Sequence, residues 1–181
     1  MQEFLTGKII LWYNERMDSE VKKESKIIGW REWATLPDLG LMAVKGKIDT
    51  GAKTSSLHAY DIELEEKGAK TYVHFKVHPL QHDFSVVIKC RALLVDKRHV
   101  TDSGGHKEER YVIRTTMILA GIKKRIELTL TNRETMKYRM LIGRAALKHF
   151  YIDPSQSYLA KKTIKQRRFL KDLKLKMAGE A

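Results

Sequence analysis

The feature that most limits what this chain can fold into is a succession of short apolar or alternating runs: KIIGWREWATL, LMAVKGKID, TYVHFKV, FSVVIKCRALLV, YVIRTTMIL and RIELTLT. In the last of them Ile126, Leu128 and Leu130 fall on one side, and Glu127, Thr129 and Thr131 on the other, which is the period of a strand. Turn residues separate the runs at Pro37-Asp38, Glu66-Lys67-Gly68, Ser103-Gly104-Gly105 and Ala120-Gly121. The pattern predicts a mainly-β barrel or sandwich, with a short helix around Arg144 to His149 and further helical material at the chain ends.

A chain of 181 residues supports one core with a short appendage. Its expected division is an N-terminal extension over 1–25, a folded domain over 26–160 and a tail over 161–181, with Met17 as a second candidate start. No apolar run approaches the roughly 20 residues that cross a bilayer, and the N-terminus has no signal-peptide cleavage pattern. The single cysteine, Cys90, has no partner within the chain, so a reducing compartment, the cytoplasm, is the expected location. Within SVVIKCRALLV it reads as a small buried hydrophobe.

The net charge of +13 is uneven: KKTIKQRRFLKDLKLKMAGEA carries eight basic and two acidic side chains, against 27 and 20 in the other 160 residues. Phe169, Leu170, Leu173 and Met177 recur there at helical spacing, so the tail reads as a basic amphipathic helix that docks on the body, a partner or an anionic surface. Contact with nucleic acid or a ribosome through this tail is one expectation, although the strands lack the aromatic cluster of an RNA-binding sheet.

Several chemistries are excluded by spacing. In GLMAVKGK, Gly40 and Gly46 are one residue too far apart for a phosphate-binding loop, and Ile48 stands where a Mg²⁺-binding hydroxyl belongs. His78 and His82 are four apart, but Pro79 argues against a shared helix face. HExxH is absent and there is one cysteine, so neither a zincin nor a thiolate zinc site is encoded; His106-Lys107-Glu108 reads as an exposed hairpin. No metal and no cofactor is expected.

What remains is KIDTGAKTSSLHA, in which Asp49 enters a tight turn rich in small and hydroxyl side chains. Downstream lie the Gly-Gly-tipped hairpin VTDSGGHKEERYVIRTT and the apolar-apolar-Gly-Arg segment Met140-Leu141-Ile142-Gly143-Arg144. Asp-Thr-Gly, a glycine-tipped hairpin and apolar-apolar-Gly-Arg, in that order, resemble the retropepsin-like aspartic proteases. The wider phrases DTGAKTSSLHA, SGGHKEERYVIRTT, TLTNRETMKYRMLIGRAAL and YIDPSQSYL resemble a bacterial, RimB-like subfamily of them over about residues 27 to 159. Its members have been labelled "ATP-dependent zinc proteases" and occur with a RimK-type glutamate ligase; the residues above support neither ATP nor zinc.

The resemblance implies a closed acid-protease barrel and peptide hydrolysis by two carboxyl groups about 3 Å apart that share one proton. One DTG motif is present, and Asp102-Ser103-Gly104 lies where a flap belongs, so the chain encodes half a site and a homodimer is implied, each protomer giving one catalytic Asp49. By the same resemblance Thr50 bonds across the dyad, Gly51 and Ala52 leave room for substrate, and Leu141, Ile142 and Gly143 back the turn. The tip Ser103-Gly104-Gly105 would close over bound peptide. Retroviral enzymes usually carry an acid after DTGA that pairs with the arginine of Gly-Arg; here it is Lys53. Either Lys53 and Arg144 together favour an acidic, glutamate-rich substrate, or Arg144 pairs with Asp61, Asp153 or another acid. Two other functions fit the same residues: Asp49 as an ordinary turn residue in a nucleic-acid-binding module, and a non-catalytic dimer that binds acidic peptides or a ligase.

Overall fold

The structure, a computed structural model, describes residues 25–81, 84–101, 107–132 and 137–179. Eleven strands are described: β1 (Lys26–Gly29), β2 (Arg31–Leu36), β3 (Leu41–Asp49), β4 (Ser55–His58), β5 (Tyr60–Lys67), β6 (Lys70–Val77), β7 (Ile88–Thr101), β8 (Lys107–Leu119), β9 (Ile122–Thr131), β10 (Met140–Gly143) and β11 (Phe150–Asp153). One helix follows, α1 (Ile164–Gly179). The candidate flap residues Ser103, Gly104 and Gly105 and the N-terminal extension lie outside the described residues.

Hydrogen bonding runs β2-β3-β10-β4-β9-β8, and β8 pairs back to β2 through Ala34↔Leu119 and Thr35↔Ile118, which closes a six-stranded ring. The fold class expected from the sequence, a mainly-β closed acid-protease barrel with a basic helical tail, is the one observed. The antiparallel ribbon β7-β6-β5 extends from β8 beyond the ring, and β1 and β11 pair in parallel as a separate two-stranded sheet. Alternation along the ring strands sends Leu57, Ile113, Leu128, Met140 and Ile142 into a continuous core, each worth about 1.5–3 kcal/mol when fully buried.

Three local features differ from the sequence expectation. The segment after Gly143 makes one 3-10 turn, Arg144–Ala146, instead of a helix to His149. The amides of Arg144 and Ala145 donate to Ala52 and Lys53 of the Asp49 loop, and His149 takes φ 71°, which breaks helical continuation. The polar face of β9 is also covered: Thr129 donates to the Ser55 carbonyl, and Thr131 to Glu108. Finally β5, β4 and β11 are strands that the apolar pattern did not mark.

Cys90 on β7 is buried, with its thiol directed to the Leu39 carbonyl at 3.4 Å. Burial pushes the thiol up to about 12, far from the range of reactive cysteines. The native protein is therefore expected to resist a thiol-specific disulfide reagent at mildly alkaline pH and to react fully once unfolded. Prompt labelling of the native state would contradict this environment.

Helix α1 starts with a reciprocal capping box: Gln166 N donates to Thr163 Oγ1, and Thr163 N to Gln166 Oε1. The same Gln166 is 5% exposed and donates from Nε2 to Thr35 on β2, so the cap is also the anchor. Leu173 is buried two turns further along the same face, and the helix lies against β3. The segment leading into α1 is held by Glu32, a fully buried carboxylate whose Oε1 accepts from Gly29 N, Leu159 N and Ala160 N.

Candidate active site

β3 and β4 are consecutive in sequence but not neighbours in the barrel, because β10 lies between them. β10 runs parallel to β3, with Ile142 opposite Ile48 and Gly143 opposite Asp49, and pairs antiparallel with β4 through Met140↔Leu57 and Leu141↔Ser56. The chain from Asp49 to Ser55 must therefore arch over the end of β10. Gly143 lies under the arch: a Cβ there would sit 2.7 Å from the Thr54 carbonyl carbon and oxygen and 2.8 Å from Lys53 O. At Gly46 on β3 an added Cβ would meet Ile142 Cδ1 at 2.7 Å, so the missing side chain admits Ile142.

At the head of the arch Asp49 folds its carboxylate back on its own turn, with Oδ1 accepting from Gly51 N at 3.1 Å and Ala52 N at 3.2 Å. An added Cβ at Gly51 would touch that oxygen at 3.3 Å. Asp49 is half-buried, whereas Thr50, Gly51 and Lys53 are exposed. Below the turn, Gly143 N donates to Ser55 Oγ at 3.1 Å in a buried position. Ser55 has a signal in the hydroxyl run Thr54-Ser55-Ser56, but only the fold assigns it a partner 88 residues away.

Arg144 crosses to the other side of the arch. Its Nη1 donates to Thr50 O at 2.6 Å and Gly51 O at 2.8 Å, while its backbone N donates to Ala52 O. Both acids considered as its partners are engaged elsewhere: Asp61 with Lys76 at 2.7 Å, and Asp153 with Ser155. Among the described residues no carboxylate pairs with Arg144 or Lys53. The two acceptors of Arg144 Nη1 are neutral carbonyls, so among the described residues no ion pair offsets its guanidinium charge. Thus Asp49, Thr50, Gly51, Ala52, Lys53, Leu141, Ile142, Gly143 and Arg144 are brought together by one crossing of β3, β10 and the arch.

Of the excluded metal candidates, His82 and His106 lie outside the described residues, and His78 and Glu108 have other partners. His78 stacks on Tyr60 with centroids 4.6 Å apart and meets the Phe84 edge at 5.1 Å, while Glu108 is bound by Arg110. Among the described residues no group of three His, Cys, Asp or Glu could hold a metal ion, and no helix is long and apolar enough to cross a membrane.

Comparison with known proteins follows this geometry. Residues 27–163 match the family model described as RimB-like, retropepsin-like aspartic endopeptidase RimB. The chain is 42% identical over 133 residues to a protein of Shewanella pealeana named "Probable alpha-L-glutamate ligase", covering 73% of this chain and 29% of that one. A protein of the same name from Desulfotalea psychrophila is 44% identical over 140 residues, 77% of this chain and 30% of the relative. The chain thus spans less than a third of these relatives. Among solved structures, Lpg0085 of Legionella pneumophila, a protein of unknown function, superposes with a TM-score of 0.64 at 30% identity, covering 75% of this chain and 98% of that one.

Proposed function

This chain belongs to the RimB-like family of retropepsin-like aspartic endopeptidases, and from that premise we propose that it hydrolyses peptide bonds as a homodimer, with one Asp49 from each protomer. The observation that carries the reading is the Asp49 carboxylate, pinned through Oδ1 by Gly51 N and Ala52 N in a turn that Arg144 braces from behind. Such fixation sets the direction of the reacting oxygens before substrate arrives, so little reorganisation is left to the reaction itself.

In the dimer, two Asp49 carboxyl groups face each other across a two-fold axis with one proton between them. The ionised partner removes a proton from a water molecule, whose oxygen attacks the scissile carbonyl carbon; the protonated partner donates to the carbonyl oxygen. The tetrahedral intermediate collapses as the C–N bond breaks, and a carboxyl proton passes to the leaving nitrogen. Thr50, exposed on the same turn, bonds across the axis in this reading. The tip Ser103-Gly104-Gly105 serves as the flap in this reading.

Acidic polypeptides are the proposed substrates. Lys53 is exposed, and the charge of Arg144 is not cancelled by any described carboxylate. The names of the relatives support the same choice: a ligase that appends glutamate creates chains that a cation-lined peptidase is suited to trim, and a RimK-type ligase is the proposed partner. Hydrolysis of an oligo-glutamate peptide is expected in wild-type protein, falling steeply as salt rises. Salt-indifferent turnover would remove the acidic preference, and loss-free hydrolysis by the Asp49→Asn variant would remove the enzyme.

Arg144 acts in this scheme as a positioning residue. Arg144→Ala should lower kcat/KM about tenfold to a hundredfold, the scale of a small misplacement of reacting groups, while the melting temperature moves by only a few degrees. Because both bonds come from one nitrogen, Arg144→Lys should recover part of the loss. Equal activity of the alanine and lysine variants would show that the brace does not position Asp49.

A further inference from the structure

Between α1 and the outer face of the β2-β3 ribbon runs an open groove of about 700 Å³. Five cations line it: Lys45 from β3, Lys162 from the strap before α1, and Arg167, Lys171 and Lys174 from the helix. Apart from Gln81 its remaining walls are apolar, with Trp33, Pro79, Leu80, Leu170 and Met177. Among the described lining residues there is no carboxylate to neutralise this charge. The strain is visible at Lys45, whose ammonium is held below the usual lysine range first by burial and then by repulsion from Arg31 and Lys162.

Strand β3 leads from the groove to the Asp49 turn. Side chains alternate along β3, so Lys45, Lys47 and Asp49 share its outer face, while Val44, Gly46 and Ile48 are buried. Asp49 lies four positions beyond Lys45 on the strand, a span of about 13 Å. A peptide leaving the Asp49 turn in extended form would reach the mouth of the groove within about four residues.

We propose that this groove between α1 and β2-β3 is an exosite for an acidic polypeptide segment, which it holds in extended form beside the Asp49 turn. Charge complementarity selects an anion, and the apolar walls suit the methylene stems of glutamate side chains. A nucleic acid fits less well, because the groove offers no free stacking platform. Lys45 and Lys162 place their ammonium groups over the Trp33 ring at 5.4 and 4.9 Å, and Tyr158 tilts against that ring with centroids 6.0 Å apart. All of α1 lies beyond the family-matched residues 27–163, so the groove is a property of this chain and not of the shared barrel alone. The charge of the groove is independent of the peptidase reading; only the position of the segment next to a scissile bond rests on it.

The test uses the full chain carrying Asp49→Asn, so that binding is read without hydrolysis and a failure of the peptidase reading leaves the measurement intact. Fluorescence anisotropy of a labelled oligo-glutamate peptide should show saturable binding that weakens with salt. The double substitution Lys171→Glu and Lys174→Glu, both at exposed positions, should raise Kd at least about tenfold. The neutral pair Lys171→Gln and Lys174→Gln should fall between the two, and it decides the matter should the reversed pair undock the helix, as read by circular dichroism. Unchanged affinity in a folded variant overturns the proposal. So does tighter binding of a single-stranded oligonucleotide that is lost with the same substitutions, which would make the groove a nucleic-acid site.

Discussion

Mixing wild-type protein with a roughly ninefold excess of the Asp49→Asn variant will depress hydrolysis to about a tenth of what the wild-type protomers give alone, because only about one in ten then meets a wild-type partner. The pure variant should lose about 10³- to 10⁴-fold, the scale of a positioned proton-transfer group. Asparagine is a suitable probe because its amide oxygen can still accept from Gly51 N and Ala52 N, so the turn keeps its shape while the shared proton is lost. Sedimentation should find the variant as dimeric as its parent. Activity in proportion to wild-type protein, unaffected by the excess, would mean that each protomer works alone, and the shared dyad would be wrong.

The second large effect is expected at Gly143. Its backbone, φ −79° and ψ 166°, is open to any residue, so conformation does not demand glycine there. Space does: the Cβ of alanine would lie 2.7–2.8 Å from backbone atoms of Lys53 and Thr54, which cannot swing aside as a side-chain tip can. Gly143→Ala should cost about 3 kcal/mol, at the upper end of overpacking, and lower the melting temperature by about 6–12 °C for a chain of this size. Activity should fall with it, since the arch that is pushed carries Asp49. Gly51→Ala gives the contrast: its added Cβ meets only Asp49 Oδ1, at 3.3 Å. Stability should change little there, and the loss should fall on catalysis. A Gly143→Ala protein as stable as its parent would show that the arch yields freely.

Legibility in the sequence followed the kind of physics each element uses. Ring strands β2, β3, β8 and β9 announced themselves by apolar runs that fill the core, whereas β4, buried at all four positions of SSLH, did not. β5 did not: Glu63, Leu64 and Glu66 are exposed and no residue of the strand is fully buried, so it is held by the ladder to β6 and carries no burial pattern. The helix at 164–179 was readable from its apolar spacing, and Thr163 and Gln166 form a capping signature that could have fixed its start. The candidate site residues were picked out in the sequence by a family resemblance, and the close crossing gives a physical reason for the glycine at 143.

Other features depend on who meets whom. For Arg144 the sequence left open an unpaired cation or half of an ion pair, and the fold gives its guanidinium the Thr50 and Gly51 carbonyls. Glu32 carries no signal of burial in the sequence, yet it is fully buried and ties Gly29 to the strap before α1 by accepting from the amides of Gly29, Leu159 and Ala160. By itself the sequence determined the strand periods, the Asp49 turn, the glycine before Arg144 and the basic stripe of the tail, because each is a local consequence of backbone sterics or of one-sided burial. Only the tertiary structure decided that β10 enters between β3 and β4, that the Asp49 loop therefore arches over Gly143, and that five cations from distant segments converge on one groove. Those relations arise from strand order and docking, and neither is written in any single stretch of chain.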